Sequence, residues 1–105
     1  MDAQIRKGLL EFCVLAALRQ GDSYGYQLLK DIPEYIAMTE STLYPILKRL
    51  EKQGKVTCHN ELADGRNRKY YHLTATGQAD VVDFLQEQTE VERIYQFIRE
   101  AMEHA

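Results

Sequence analysis

The chain is short of the features that membrane and secreted proteins need. Its 105 residues contain no tryptophan, two prolines and two cysteines, and two cysteines in a chain of this length do not make a disulfide framework. The longest nearly apolar run, 9–18, includes Glu11, so it is too short and too polar to cross a bilayer. No small-residue cleavage site follows Lys7 and Gly8, and no signal peptide is predicted. We therefore expect a cytoplasmic protein with no membrane partner.

The sequence also lacks the residue patterns of common catalytic and metal sites. It contains no identifiable glycine-rich phosphate loop, Ser/His/Asp set or paired-carboxylate cleft, so we expect no enzyme, no catalytic residue and no cofactor. Cys58, His59 and His72 fall on two predicted strands, but strand neighbours point to opposite faces and no further ligand has suitable spacing. We expect no metal ion, and an inert packed thiol at Cys58 is a more common outcome than a redox sensor.

Charge is unevenly distributed along a chain whose net charge is −3. Residues 1–39 carry a net charge of −1 and residues 75–105 a net charge of −5, whereas residues 40–74 carry +3. The basic residues of this middle third are Lys48, Arg49, Lys52, Lys55, Arg66, Arg68 and Lys69. A local basic surface is what phosphate binding requires, whatever the overall charge of the chain.

Two helices are predicted in the first third of the chain. The segment 4–19 is apolar on more than one side, which is typical of a buried helix. After a glycine, Asp22 or Ser23 is expected to cap a second helix at about 24–32, and Pro33 ends it. The residues expected to be buried in this second helix are Tyr26, Leu29 and Leu28.

A third helix and a β-hairpin are predicted in the basic third of the chain. The helix begins near Thr39 and ends at Gly54, with one buried face formed by Leu43, Ile46, Leu47 and Leu50. Strands are predicted at 55–61 and 68–74, separated by the turn residues 63–65. The side chains expected to point inward are Val56, Cys58, Tyr71 and Leu73, because alternate strand residues share a face.

A final helix of about 28 residues is predicted from a cap at Thr74 to about Met102. Two rows of residues repeat every seven positions, which is typical of helices that pack against another helix. The first row is Phe84, Val91 and Ile98, and the second is Val81, Gln88, Tyr95 and Met102. The helix is too long and too polar to pack wholly on so small a body, so a symmetry mate is its most economical partner. Gln88, polar within an apolar row, would set the register of such a pair.

This order of elements is that of a winged helix-turn-helix domain, in which the third helix enters the DNA major groove and the hairpin tip approaches the backbone. We predict a mostly α fold with a small β-hairpin (α+β), with a DNA-binding domain at residues 1–74 and a dimerisation helix at 75–105. The predicted DNA contacts are Tyr24, Ser41, Thr42, Tyr44, Lys48, Lys52, Arg66, Arg68 and Lys69. Solvated charges, helix-start hydroxyls and packed aromatics are the simpler interpretations of the same residues.

Three motifs, in order, resemble the PadR-like family of transcriptional regulators. They are STLYPILKRLE at 41–51 ending at Gly54, DSYGY at 22–26, and GRNRKYY at 65–71 followed by Leu73, Thr74 and Gly77. The similarity covers about residues 5–78, with Asn67 where the family pattern has proline, and the single short C-terminal helix is similar to that of smaller members. The resemblance implies a homodimeric DNA-binding repressor, in which the last helices, helped by Leu9 of the first helix, build the dimer.

We therefore predict a homodimer that binds a pseudo-palindromic operator in double-stranded DNA, with its two third helices one helical turn, roughly 34–36 Å, apart. A small aromatic or hydrophobic effector would release the DNA by changing the angle between the subunits. Phe84, Tyr95, Phe97 and Met102 could line its cavity, although a plain dimer seam is the more common role of such residues. The alternative is a winged-helix protein–protein interaction module without specific DNA binding, which the acidic last helix permits.

Overall fold

A computed structural model describes residues 1–104, which form four α-helices and a three-stranded antiparallel sheet. The elements are α1 (Ala3–Leu18), β1 (Ser23–Tyr24), α2 (Gly25–Asp31), a single 3-10 turn (Glu34–Ile36), α3 (Glu40–Lys52), β2 (Val56–Ala63), β3 (Arg66–Leu73) and α4 (Ala75–Glu103). The strands lie in the order β1-β3-β2. The predicted mostly α fold with a β-hairpin and a long last helix is confirmed.

The core lies between α1, α2, α3 and the inner face of the sheet. Its buried apolar residues are Leu10, Val14, Leu15, Leu18, Leu28, Ile32, Leu43, Ile46, Leu47, Leu50, Val56 and Tyr71. The predicted stripe of α3 is thus buried throughout. Only one side of α1 is fully buried, however, because Leu9, Phe12 and Cys13 on its other side are half-buried and line an open cleft. The prediction that α1 is buried on more than one side is wrong in this respect.

The start of α2 differs from the prediction in two ways. Its cap residue is Tyr24, which makes no side-chain capping bond, because Ser23 and Tyr24 instead pair with β3 as the short strand β1. Tyr26 is 58% exposed and lies under the ammonium of Lys30, whereas Leu28 is fully buried. Residues two apart lie on opposite sides of a helix, so a seven-residue helix cannot bury both Tyr26 and Leu28 against one neighbour.

The hairpin of β2 and β3, called the wing below, extends further than the sequence predicted. The strands run to a two-residue turn at Asp64 and Gly65, whose φ angles of 51° and 75° are both positive. A turn with two positive φ angles matches the twist of the flanking strands, so pairing continues to the Ala63–Arg66 pair beside the turn. The predicted strand boundaries at 61 and 68 were therefore too short at the tip, and β1 was too short to predict.

The last helix is capped as predicted. The Thr74 hydroxyl accepts a hydrogen bond from the Gly77 amide at 3.1 Å and donates to the Gly54 carbonyl at 2.7 Å. The first part of α4 packs on α1, where Phe84 stacks on Phe12 with ring centroids 4.0 Å apart. The rest of α4 is exposed and lengthens the molecule to 63 × 26 × 23 Å. Among the described helices, none is both long and apolar enough to span a membrane.

Candidate nucleic-acid interface

The solvent-facing side of α3 and the inner face of the wing enclose a basic concavity. Tyr44, Lys48, Glu51 and Lys52 lie at helical spacings of three, four, seven and eight, opposite the buried stripe of α3. β3 brings Lys69 and Tyr71 to the same surface. We call this surface, lined by Tyr44, Lys48, Glu51, Lys52, Lys69 and Tyr71, the lysine concavity; its volume is about 620 Å³. Three predicted DNA-contacting lysines, Lys48, Lys52 and Lys69, therefore line one surface.

Lys69 is the lysine of this concavity that lies beside a carboxylate. Its Nζ atom lies 3.9 Å from Oε2 of Glu51 and 5.8 Å from the centre of the Tyr71 ring. The titratable side chains of Tyr71, Cys58 and Glu51 raise the pKa of Lys69 above its usual value. Lys69 therefore carries its positive charge throughout the neutral range, in contact with one carboxylate.

Tyr44 serves a packing role and is also accessible. Its ring and hydroxyl lie against Gly25, where the hydrogen side chain of glycine leaves room that a Cβ atom would occupy. Tyr44 is nevertheless 47% exposed at the edge of the concavity. Tyr44 can therefore pack and contact a ligand at once, because one side of its ring lies against Gly25 and the other side is exposed to solvent.

The cations of the wing do not share one face. Strand alternation places Arg66, Arg68 and Tyr70 on the face opposite to Lys69. The guanidinium of Arg68 lies 4.6 Å from the centre of the Tyr24 ring, which in turn lies 5.3 Å from that of Tyr70. Arg66 is exposed beside the turn. Tyr24 and Arg68 thus form an aromatic–cation pair on the outer face of the wing, separate from the lysine concavity.

The N-terminal end of α3 adjoins a second basic groove that segment charges did not reveal. Thr39 is the N-cap residue of α3 but makes no side-chain capping bond; its hydroxyl lies 3.1 Å from both the Ser41 and the Thr42 hydroxyl oxygens. Arg6 and Lys7 of α1 line the same groove as Ser41 and Thr42. No sequence pattern predicts this groove, because residues 1–39 are net acidic and only the packing of α1 on α3 brings the two cations there.

Two other basic side chains of residues 40–74 form ion pairs within the protomer. Arg49 forms an ion pair with Glu11 of α1, so the neighbouring helix holds it rather than Glu51. Lys55 pairs with Asp80 of α4 at 2.8 Å. The first ion pair joins α3 to α1, and the second joins the residue before β2 to α4. Neither basic side chain lines the lysine concavity.

The residues predicted to form the dimer interface divide between two surfaces. Val91, Ile94, Tyr95, Ile98 and Met102, called the α4 stripe, share one helix face and are between 36% and 73% exposed. Gln88, at the start of this stripe, is half-buried, and the sequence prediction omitted Ile94. Leu9 and Phe84 are half-buried in a cleft of about 490 Å³ between α1 and α4, which Phe12, Cys13 and Tyr35 also line. Of the four residues suggested for an effector cavity, Phe84 alone lines this cleft.

The histidines and Cys58 do not converge. His59 pairs with Glu61 at 2.9 Å and His72 with Asp22 at 2.7 Å. Partial burial raises the pKa of the Cys58 thiol, and the neighbouring Glu51 raises it further, which disfavours the reactive thiolate. Within residues 1–104, no three His, Cys, Asp or Glu side chains come close enough together to hold a metal ion.

Comparison with known proteins places this chain among transcriptional regulators. Residues 14–83 match the model of the transcriptional regulator PadR-like family. A curated relative, the negative transcriptional regulator PadR of Bacillus subtilis, is 27% identical over 73% of this chain and 45% of its own length. The crystal structure of a Streptococcus transcriptional regulator has a TM-score of 0.80 at 32% identity, covering 93% of this chain and 99% of that one. The structure of Bacillus subtilis PadR in complex with operator DNA has a TM-score of 0.67 at 28% identity, covering 73% of this chain and 46% of that one.

Proposed function

Because this chain belongs to the PadR-like family of transcriptional regulators, we propose that it is a repressor that binds operator DNA as a homodimer and responds to a small apolar ligand. The family is one of regulators rather than enzymes, so the chain is not an enzyme. Its functional residues are therefore contact residues, and their charge and accessibility decide what they bind.

One observation carries the DNA-binding proposal: in a chain of net charge −3, the exposed face of α3 and the adjoining wing are basic. The third helix of a winged helix enters the major groove and the wing approaches the backbone, so these cations would meet phosphates. The similar Bacillus subtilis protein is solved with operator DNA, which supports the same use of the fold here. The similar curated protein is a negative regulator, which supports repression.

The predicted contact residues fall into groups with different roles in this proposal. Ser41 and Thr42 lie at the start of α3, where their hydroxyls and the positive end of the helix dipole position phosphates or read bases. Tyr44 contacts the duplex through the side of its ring that Gly25 leaves open. The residues proposed to neutralise phosphates are Lys48, Lys52, Arg66, Arg68 and Lys69, and Tyr24 supports Arg68 and bonds a phosphate itself.

The homodimer proposal rests on the α4 stripe. Five large apolar or aromatic side chains on one face of a helix are costly to leave in water, and a second copy of the same helix offers a matching face. Residues 1–74 would then bind DNA and residues 75–105 would hold the dimer together; Ala105 lies outside the described residues. Two protomers related by a two-fold axis match a pseudo-palindromic operator.

The proposal of a small effector rests on the cleft between α1 and α4. Its volume of about 490 Å³ lies within the usual range of small-molecule sites, roughly 300–1,000 Å³, and its lining is mainly apolar. An aromatic or hydrophobic ligand bound there would contact both the DNA-binding body and the dimerisation helix. Such a ligand lowers DNA affinity only if it binds the DNA-free form more tightly than the DNA-bound form.

The test is a binding measurement on the full chain. We expect fluorescence anisotropy to show that the DNA upstream of the protein's own gene binds more tightly than a shuffled duplex of the same composition. Sedimentation equilibrium should show a dimer in the same buffer. Failure to bind either duplex would instead favour a winged-helix protein–protein interaction module, for which the exposed α4 stripe provides a surface.

A further inference from the structure

Glu51 carries the one carboxylate among the six side chains that line the lysine concavity. It lies in the last turn of α3, one residue before Lys52 and three after Lys48. A negative charge at this place opposes phosphate binding, although the surrounding surface is built from cations. Neither helix capping nor packing requires it: acidic residues are unfavourable at the negative end of a helix dipole, and the side chain is 41% exposed.

The geometry shows what Glu51 does within the protomer. Its carboxylate lies 3.9 Å from the ammonium of Lys69 on β3, so it links the end of α3 to the wing. Both side chains are about half exposed, so a phosphate oxygen can reach Lys69 and compete with Glu51 for it. Glu51 thereby offsets one cation of the interface and repels a phosphate at the same place.

These two effects weaken phosphate contacts in every complex with DNA. Nonspecific binding depends almost entirely on phosphate contacts, whereas a specific complex also gains from contacts to base edges. The loss of one phosphate contact costs both complexes the same free energy, so the ratio of their affinities stays the same. A carboxylate that occupies Lys69 consequently lowers nonspecific affinity, which depends on phosphate contacts.

We propose that Glu51 is an affinity-limiting residue, which holds Lys69 in an intramolecular ion pair and thereby weakens the binding of phosphates by the wing. The inference rests on the proposed function. It adds that a phosphate must displace Glu51 before it can pair with Lys69. The ion pair therefore limits the affinity for nonspecific DNA, which depends on phosphate contacts.

The test uses the full chain and a random-sequence duplex, so that no operator needs to be known. Glu51→Gln removes the charge and keeps the shape of the side chain. It should steepen the slope of log affinity against log salt by about 0.9 per protomer, because one more phosphate is neutralised. Affinity should then fall by an additional factor of about 3.5 per protomer between 50 and 200 mM salt.

A double-mutant cycle identifies Lys69 as the partner. Lys69→Gln should change the slope little in the wild-type background, and should abolish the gain in the Glu51→Gln background. Glu40→Gln is the matched control, because it removes the same charge from the first turn of the same helix. Its effect should add to that of Lys69→Gln without coupling.

The outcomes separate this inference from the function on which it rests. An unchanged slope in Glu51→Gln, or effects of Glu51→Gln and Lys69→Gln that simply add, would overturn the inference that Glu51 competes with phosphates for Lys69. So would a Glu51→Gln protein that loses preference for its own upstream DNA while binding random DNA normally, because Glu51 would then read a base. A wild-type protein that binds neither duplex would overturn the proposed function together with this inference.

Discussion

Gly8 and Gly77 show that the surroundings of a residue decide its importance. Both lie inside helices, α1 and α4. A Cβ atom added at Gly8 meets no other atom within 4 Å, whereas one added at Gly77 would meet the backbone carbonyl of Lys55 and lie 2.8 Å from Cδ1 of Leu73. Gly77 therefore allows the start of α4 to pack directly on the beginning of the wing.

The two glycines should respond oppositely to the same substitution. Gly77→Ala should lower the free energy of unfolding by about 1–3 kcal/mol, because the backbone of Lys55 must shift to accept the methyl group. Gly8→Ala should raise it by up to about 1 kcal/mol through better helix propensity. Urea denaturation followed by circular dichroism measures both, and equal effects would contradict the close approach at Gly77.

The hydroxyl of Thr74 can be tested in a similar way, by the effect of its removal on stability. Thr74→Ala removes both the capping bond to the Gly77 amide and the bond to the Gly54 carbonyl, and should cost about 0.5–2 kcal/mol of unfolding free energy. Thr89→Ala is the control, because that hydroxyl donates only to Leu85 within α4, and its cost should stay within about 0.5 kcal/mol. Similar losses in the two variants would argue against the cap.

At the scale of elements, α3 and the wing each present cations to solvent, on the exposed face of α3 and on both faces of the wing. The α3 stripe is buried, which fixes the helix rotation and turns Lys48 and Lys52 outward. The two-residue turn brings Arg66 to the tip of the wing. The interface therefore depends on two elements with separate structural supports, and each can be tested alone.

Lys48→Gln and Arg66→Gln should each flatten the slope of log affinity against log salt by about 0.9 per protomer, because each removes one phosphate contact. Anisotropy titrations at four or more salt concentrations measure the slope. Arg93→Gln, on the exposed part of α4, should leave it unchanged. If Arg93→Gln flattens the slope as much as the other two, the effect is one of overall charge and the assignment of α3 and the wing is wrong.

At the scale of the whole molecule, the chain separates charge and apolar surface along its length. The basic concavity lies on the compact body, and α4 carries all seven acidic residues of the last third together with the α4 stripe. A shape of 63 × 26 × 23 Å leaves that stripe without intramolecular neighbours over much of its length. A dimer through α4 would cover the stripe and keep the acidic surface away from the DNA.

Ile98→Glu should convert the proposed dimer into a monomer, because a charge would replace an apolar side chain within the stripe. Sedimentation equilibrium measures the change, and the salt slope of DNA binding should fall by about half with the loss of one protomer. Arg93→Glu introduces the same residue on the opposite face of α4 and should remain dimeric. Dimers in both variants would show that another surface joins the protomers.

Much of the fold could be predicted from local patterns. The spacing of Leu43, Ile46, Leu47 and Leu50 defined α3 and its buried side, and Thr74 marked the start of α4. The Asp-Gly turn marked the wing, although its strands proved longer. The misplaced residues, Tyr26 and the expected caps Asp22 and Ser23, lie where a short helix and a two-residue strand depend on neighbours distant in sequence.

The candidate site likewise has features that local sequence patterns predict and features that depend on tertiary packing. Its residue types and the basic middle third can be read from the sequence, because charge and periodicity are local properties. Three features cannot be read from the sequence: the ion pair between Lys69 and Glu51, the ion pair between Arg49 and Glu11, and the groove lined by Arg6 and Lys7. The sequence by itself determined which elements form and which third of the chain is basic. The packing of the helices and the wing decided which cations remain available to bind phosphates. The reason is that an ion pair depends on the distance between two side chains, and residues far apart in the sequence come close only in the folded protein.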